Sequence, residues 1–469
     1  MDKIEKAALK FFESFYHFYR YYAWDFISQD EFVDNWHIRY LCDELHQYRD
    51  AVVKRRPIED LIINIPPGSS KSSIISQAFP VWLWLHDPSV TVIVSSYAAA
   101  LSTDDSIKAK RIIQNPQFVI FFDAIFQHLH GKSLQIEKDN EGYWSNNYGG
   151  QYITTSTGGS VTGRHAHLII RDDPMNPEQA ESTVYRVKAH RFNDATLSTR
   201  KKNKDATPTI TVMQRLHEDD TTAHEFGKDK ECRHICLPAE LSSKVRPEYL
   251  QLEYIDGLLD PVRMSRETLE RQRNDVGTYA YSGQFGQEPY PEEGGKVKKE
   301  WFCYLDERDL LPNLVWDVWI DGAYTDKTSN DPTGVMICAF DILNNRLIVR
   351  NFESRWMVLP DLLKHIKAME FGVDGASMVY VEPKASGLSL IQELQQNSLM
   401  NVTRIGGKLV QAGKEARLNT ASPKIESSRV WLVRGNWNAE FVKQLTGFPN
   451  VSHDEAVDLL GYACKKYLT

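Results

Sequence analysis

The chain has 469 residues, of which 42% are apolar and 25% charged, and its formal net charge is −8. At roughly 100–200 residues per domain this is enough apolar chain for two to four globular domains, which excludes a disordered or fibrous polymer. No apolar run of ~18 residues, no apolar leader and no dense cysteine framework is visible, so a soluble, cytoplasmic, multidomain protein is expected. The acidic balance gives no global sign of nucleic-acid binding, and the basic groups Lys188–Arg191, Arg200–Lys204, Lys296–Lys299 and Lys465–Lys466 read first as solvated surface.

Residues 1–50 read as an aromatic-rich helical annex, with Leu9, Phe12, Phe15 and Phe18 at three-residue spacing and no proline before Pro57. The run Leu61-Ile62-Ile63-Asn64-Ile65 stops at Pro66-Pro67-Gly68 and predicts a buried strand ending in a turn. Ser72–Leu85 predicts a helix in which Pro80 forces a kink or a new turn. Strands are then expected at Val90–Ser95, Gln151–Thr155, His167–Ile170 and Thr209–Met213, with helices at Ser106–Gln114 and Val184–Ala195. Continuous Val/Ile/Leu strands alternating with helices indicate an α/β domain with a parallel sheet covered on both faces.

The stretch Pro289–Gly295 has no periodicity and reads as a linker, which predicts a first domain over 51–288, a junction over 289–310 and a second domain over 311–469. In that second part, a strand is expected at Val315–Asp321 and a hairpin from Gly334–Asp341 to Leu347–Glu353 around Asn344-Asn345. Next come a helix at Leu359–Glu370, a strand at Ser377–Glu382, a helix at Leu388–Asn397, a strand near Val402–Ile405 and closing helices ending with Asp454–Tyr467.

Two constellations carry chemistry. Pro66-Pro67-Gly68-Ser69-Ser70-Lys71-Ser72, between a strand and a helix, is the context of a phosphate-binding loop. Backbone N–H groups would cradle the phosphates, Lys71 would reach the β- and γ-phosphates, and the Ser72 hydroxyl would ligate Mg²⁺. The pattern is imperfect, because Ile65 and Ser70 stand where glycines are expected. The strand His167–Ile170 runs into Arg171-Asp172-Asp173, two acids placed to hold Mg²⁺ through water and to orient an attacking water. The second constellation is Asp321 and Glu382, each ending a strand, with Asp454 and Asp458 one turn apart on the last helix and facing the same way. Strand, hairpin, helix, strand and late helix bearing acids in this order is the arrangement of RNase H-like nucleases. Such converging carboxylates need cations, typically two Mg²⁺ or Mn²⁺ that cleave phosphodiesters. Cys232 and Cys236 lack a second ligand pair and read as reduced core cysteines.

On these residues the chain resembles the large terminase subunit of tailed bacteriophages. The resemblance is carried by Asn35-Trp36-His37, Leu61–Ser72, Ser95–Ala98, Gly158–Arg164 running into Leu168–Pro174, Val212–Asp220, Tyr281–Pro289, Glu293–Phe302, Asp321-Gly-Ala323, Glu382–Gly387 and Phe448–Asp458. It implies a P-loop ATPase domain followed by an RNase H-like nuclease domain with a mixed sheet. Pro67 to Ser72 would bind ATP with Mg²⁺, and Trp36 and His37 would lie near the adenine. Asp172 would be the Walker B acid and Asp173 the catalytic carboxylate. Gln214 and Arg215 would belong to the segment that senses the γ-phosphate. Asp321, Glu382 and either Asp454 or Asp458 would hold two metal ions. It further implies double-stranded DNA, a portal protein and a small terminase subunit as partners. A monomer in solution, a five-membered ring on the portal and a place in the host cytoplasm outside the mature virion are implied in the same way.

One departure stands out: Gly68 occupies a position where such loops commonly carry arginine, so Arg164, Arg215 or a neighbouring subunit is expected to supply that charge. Two other classes remain open at this point. A nucleic-acid-dependent ATPase or helicase would carry a second RecA-like sheet in place of the acid-bearing domain, and a transposase- or integrase-like nuclease would not turn over ATP. A structural protein with vestigial motifs would not keep so many acids.

Overall fold

A computed structural model describes residues 3–161, 163–228, 231–289, 297–322, 331–372, 378–383, 385–397, 401–406, 410, 413–449, 451 and 453–468. The expected junction, most of the Lys296–Lys299 group's flank, Thr162, Ala323 and Lys384 therefore fall wholly or partly outside the described residues. The chain divides into two compact units, one of Met1–Leu269 with Ala280–Tyr290 and one of Glu270–Tyr279 with Pro291–Thr469.

The first unit is built on an eight-stranded sheet. Its strands are β1 (Asp60–Asn64), β2 (Thr91–Ser96), β3 (Ile136–Asp139), β4 (Tyr143–Asn146), β5 (Gln151–Ser156), β6 (Leu168–Asp172), β7 (Thr209–Met213) and β8 (Cys232–Cys236). They lie in the order β3-β4-β5-β2-β6-β7-β1-β8, parallel from β5 to β8, with β3 and β4 as an antiparallel edge. Every residue of β1, β2, β6 and β7 is buried, which is why these strands read as unbroken apolar runs and not as alternating ones.

The principal helices here are α1 (Lys3–Glu13), α2 (Trp36–Lys54), α3 (Phe79–His86), α4 (Ala99–Gln114), α5 (Pro116–His130), α6 (Thr183–Arg191) and α7 (Thr221–Phe226). The expected kink at Pro80 resolves into a wide π-helical segment, Ser73–Ala78, followed by α3 with the proline in its first turn, where a missing N–H costs nothing. The buried aromatic stripe at the N-terminus also differs from the expected one. Phe11, Phe15, Phe18, Tyr19 and Tyr22 are buried, whereas Leu9 is exposed. The reason is Ser14, which ends α1 and caps a new turn through the His17 N–H, so the helical phase restarts. Phe15 then meets Trp82 and Tyr22 meets Phe122, with ring centroids 5.0 and 5.1 Å apart.

The second unit holds a seven-stranded mixed sheet of β9 (Cys303–Leu305), β10 (Trp316–Asp321), β11 (Thr333–Asp341), β12 (Arg346–Arg355), β13 (Val379–Val381), β14 (Val402–Arg404) and β15 (Val430–Val433), in the order β14-β13-β10-β11-β12-β15-β9. The hairpins β10–β11 and β11–β12 are antiparallel, and β13 runs parallel to β10. β15 is a correction to an expectation of helices alone after β14. Helix α8 (Arg266–Gln284) spans the boundary between the units in sequence; α9 (Leu359–Gly372), α10 (Ala385–Asn397), α11 (Lys414–Glu426), α12 (Asn438–Gly447) and α13 (Glu455–Tyr467) follow.

The two faces of this sheet bury different sets. Val318, Ile320, Val379 and Val381 pack with Leu362 of α9 and Leu390 of α10. Trp319 and Tyr380 pack instead with Leu418 of α11 and Leu460 of α13. Since side chains alternate along a strand, Asp321 and Glu382 follow Trp319 and Tyr380 onto the face covered by α11 and α13.

Candidate functional site

The phosphate-loop candidate begins where β1 ends. Ile65 still donates to the Met213 carbonyl (3.2 Å), and the chain then turns through Gly68 (φ +78°) and Ser70 (φ +62°) into the π-helical segment. Both torsions are left-handed, a region glycine enters freely and serine only at a cost, so Ser70 holds the conformation for which a glycine is the ordinary residue. Gly68 is exposed, Pro67 and Ser72 are half-buried, and Ser69 is buried with its hydroxyl donating to the Pro66 carbonyl at 2.7 Å.

β6 lies one strand beyond β7, so its terminal acids come level with this loop at the C-terminal edge of the sheet. Lys71 Nζ lies 2.9 Å from Asp173 Oδ2. Burial alone would lower the lysine's pKa, but the charges of Asp173 and Asp172 outweigh it and hold the ammonium above its usual value. Asp172 is fully enclosed and accepts from the Ser76 hydroxyl at 2.6 Å. Burial, then the fields of Asp105 and Asp173, push its carboxyl up to about 7. Asp105 itself is pushed up to about 6 by burial, while accepting from Gln77 at 2.6 Å. One oxygen of each strand-ending acid, Asp172 Oδ1 and Asp173 Oδ1, is buried without a hydrogen-bond partner. Two orphan carboxylate oxygens beside the Lys71 ammonium suit a hydrated divalent cation in kind.

The other expected ATP-site residues separate. Trp36 opens α2 and packs on Tyr254 (5.6 Å). His37 is buried under the loop, where Nε2 donates to the Ser69 carbonyl (3.2 Å) and Nδ1 accepts from Asn35 (2.7 Å). Burial lowers its pKa to about 4, so it stays neutral and acts as a prop for the loop backbone. Gln214, just after β7, is buried and its Oε1 has no partner. Arg215 is held by Asp220, itself fully buried, at 2.8 Å. The structure does not bring Arg164 to the loop: its guanidinium lies 4.0 Å over the Tyr143 ring of β4, and β4 stands five places from β1, about 24 Å across a sheet spaced at about 4.8 Å.

The acids of the second unit do converge on one face. Ile320 pairs with Val381, and Glu382 N donates to the Ile320 carbonyl (3.0 Å), so Asp321 and Glu382 end neighbouring strands at the same level. Asp458, wholly buried on α13, reaches this place from above, and Tyr462 OH one turn later donates to Glu382 Oε1 at 2.8 Å. Asp454 is a correction to the expected helix position: it precedes the first helical residue, makes no side-chain capping bond, and is partly exposed. Sequence reasoning missed two cations here, Lys414 and Arg417 of α11, which pair with these acids; three residues apart on one helix, they carried no motif. The donors suit a hard divalent cation in kind, yet among the described residues no three acidic, imidazole or thiolate side chains are close enough together to hold one. Cys232 and Cys236 lie at the two ends of β8, about 13 Å apart at about 3.3 Å per residue, which removes them as a ligand pair.

The fold and these two clusters define a two-sheet α/β chain with a candidate phosphate loop at a strand edge and a separate acidic cluster. Residues 319–466 match the family model of the terminase RNase H-like domain. No curated protein matches the chain. Among solved structures, the large terminase of a thermophilic bacteriophage in complex with ADP is similar with a TM-score of 0.47 and 9% identity, over 90% of this chain and 98% of that one. The large terminase of bacteriophage HK97 gives 0.39 and 12%, over 96% and 99%, and the large terminase nuclease of thermophilic phage G20c with bound magnesium 0.29 and 15%, over 38% and 100%. These likenesses transfer no residue role. The family match covers the acid-bearing sheet and assigns that part of the chain the terminase RNase H-like domain.

Proposed function

We propose that this chain is a DNA-packaging motor that hydrolyses ATP on its first sheet and cuts concatemeric double-stranded DNA on its second. The observation that carries the reading is the pairing of Lys71 with Asp173 beside the enclosed Asp172, at the adjoining ends of a loop and a strand where triphosphate chemistry needs one ammonium and two carboxylates.

Lys71 would exchange Asp173 for β- and γ-phosphate oxygens, and Asp173, so released, would orient and deprotonate the attacking water. Ser72 and Asp172 would hold Mg²⁺, and His37 keeps the loop's backbone donors in place through Ser69. When bound, Mg²⁺ neutralises the phosphate oxygens, and the paired ions of the nuclease site activate water and stabilise the leaving oxygen. With Arg164 on Tyr143 and Arg215 on Asp220, an arginine from a neighbouring subunit is the proposed source of the charge that Gly68 lacks. In the second unit, Asp321, Glu382 and Asp458 are the proposed metal ligands, Asp458 being preferred over the partly exposed Asp454 because it shares the enclosed face. Portal protein, a small terminase subunit, a monomer in solution, a pentameric ring on the portal and action in the host cytoplasm complete the proposal.

A helicase reading is disfavoured because the second sheet is mixed and ends its strands in acids, with no second parallel nucleotide-binding sheet among the described residues. The test compares wild type, Lys71→Ala and Asp321→Ala for ATP turnover with procapsids and for plasmid cleavage with Mn²⁺. Loss of ATPase alone in the first variant and of cleavage alone in the second is expected. Cleavage surviving Asp321→Ala would overturn the nuclease assignment.

A further inference from the structure

The acidic cluster of the second unit already contains its own cations. Lys414 and Arg417 project from one face of α11 toward Asp454 and Asp458, four residues apart at the start of α13. Lys414 Nζ lies 2.5 Å from Asp454 Oδ1 and 3.8 Å from Asp458 Oδ2. The Arg417 guanidinium pairs with Asp458 Oδ1 and stands 4.0 Å from Glu382 Oε1, so it bridges the acid of the helix and the acid of the strand. All three of these side chains are enclosed, Arg417 being 8% exposed, Glu382 2% and Asp458 0%.

The guanidinium is held from several sides. It donates to the Val410 carbonyl at 2.8 Å and lies 4.7 Å over the Tyr462 ring. At Gly461 a Cβ would come within 2.6 Å of the Arg417 Cβ, so the missing side chain is what lets α11 approach α13 this closely. Buried carboxylates this near one another need positive charge, and an arginine fork supplies it with fixed geometry. A divalent ion needs the same oxygens, and among the described residues none of the acids is grouped to take one while the guanidinium is in place.

We propose that Arg417, assisted by Lys414, is a cation latch on the nuclease site: it holds the acids together when no metal is present, and metal entry and guanidinium withdrawal are a single exchange. The inference rests on the reading of Asp321, Glu382 and Asp458 as metal ligands. Because the competent arrangement is then only one state of the site, apparent metal affinity is reduced by the fraction of chains in that state. The displaced guanidinium and ammonium become available to a DNA phosphate, the anion whose geometry they fit. Metal and DNA therefore favour each other's binding, and idle cleavage is suppressed without both.

The test is Mn²⁺ titration calorimetry on the full chain, the relevant site being defined as the binding lost in Asp321→Asn. Arg417→Gln should bind Mn²⁺ at that site about tenfold more tightly than wild type, the size of an ordinary coupling between sites, and Lys414→Gln should show a smaller gain. The unfolding midpoint of Arg417→Gln, lowered in EDTA, should recover with Mn²⁺. A merely structural ion pair gives the lowered midpoint with neither tighter binding nor recovery, and that result overturns the latch. If Arg417→Gln does not fold, Lys414→Gln decides, its side chain being 39% exposed, and unchanged affinity there also overturns it. If Asp321→Asn loses no binding at all, the metal-site reading itself falls, which is a different result from an unchanged Arg417→Gln.

Discussion

At the scale of single residues, the proposed phosphate loop departs from the common pattern in two places that the backbone links. Gly68 and Ser70 both adopt left-handed torsions, so the loop bends at Ser70, where a glycine is usual, and again at a glycine two positions before it. No atom lies within 4 Å of a Cβ built on Gly68, which leaves torsional strain as the only cost of adding one. Gly68→Ala is therefore expected to lower unfolding stability by about 1 kcal/mol, measured by urea denaturation. An unchanged midpoint would show that the loop relaxes to another conformation. The same torsion argues against simply restoring an arginine at 68, since its long side chain would start from the same strained backbone.

Among elements, α5 shows what a capping sequence does. Asn115 accepts from the Phe118 N–H at 3.1 Å, Pro116 fills the first turn, and Gly131 ends the helix at φ +81°. Phe118, Phe122 and Phe126 then recur every four residues and are buried. Asn115→Ala should cost about 1 kcal/mol by thermal or urea unfolding, with the aromatic cluster otherwise intact. A cost near zero would mean that tertiary packing alone sets the start of α5. This helix was not among those expected from the sequence, although Asn115-Pro116, the aromatic periodicity and Gly131 mark it. The wide π-helical turn at Ser73–Ala78 has no such mark, because no local preference distinguishes it from an α-helix; it aims Ser76 at Asp172.

For the whole molecule, two compact units, each with its own proposed ligand, predict two calorimetric transitions, one raised by Mg-ATP and the other by Mn²⁺. The transition of the first unit should also depend on pH. Burial first of all lowers His37, His167 and His234 to about 4 and His86 to about 3, against an ordinary value of 6.5. Between pH 6.5 and about 4 the unfolded chain therefore takes up protons that the folded chain refuses. The stability these four histidines contribute is fully present above pH 6.5 and falls as the pH drops through that window, opposed only in part by the two raised carboxyls of Asp172 and Asp105. A midpoint that does not change from pH 7 to pH 5 would contradict this.

Taken by itself, the amino-acid sequence determined the α/β class, the central strands β1, β2, β6 and β7, and the pairs Lys71-Ser72 and Asp172-Asp173, because a strand buried on both faces and a strand-ending charge are local patterns. It also set the order of strand, hairpin and acids that makes the second sheet RNase H-like. Only the tertiary structure decided that His37 props the loop, that Arg164 rests on Tyr143, that Asp458 and not Asp454 shares the enclosed face with Glu382, and that Arg417 stands among these acids. Each of these depends on which face a residue presents and on what is packed against it. A charge on a helix gives no local sign of the carboxylate it will neutralise some forty residues away, as Arg417 does for Asp458.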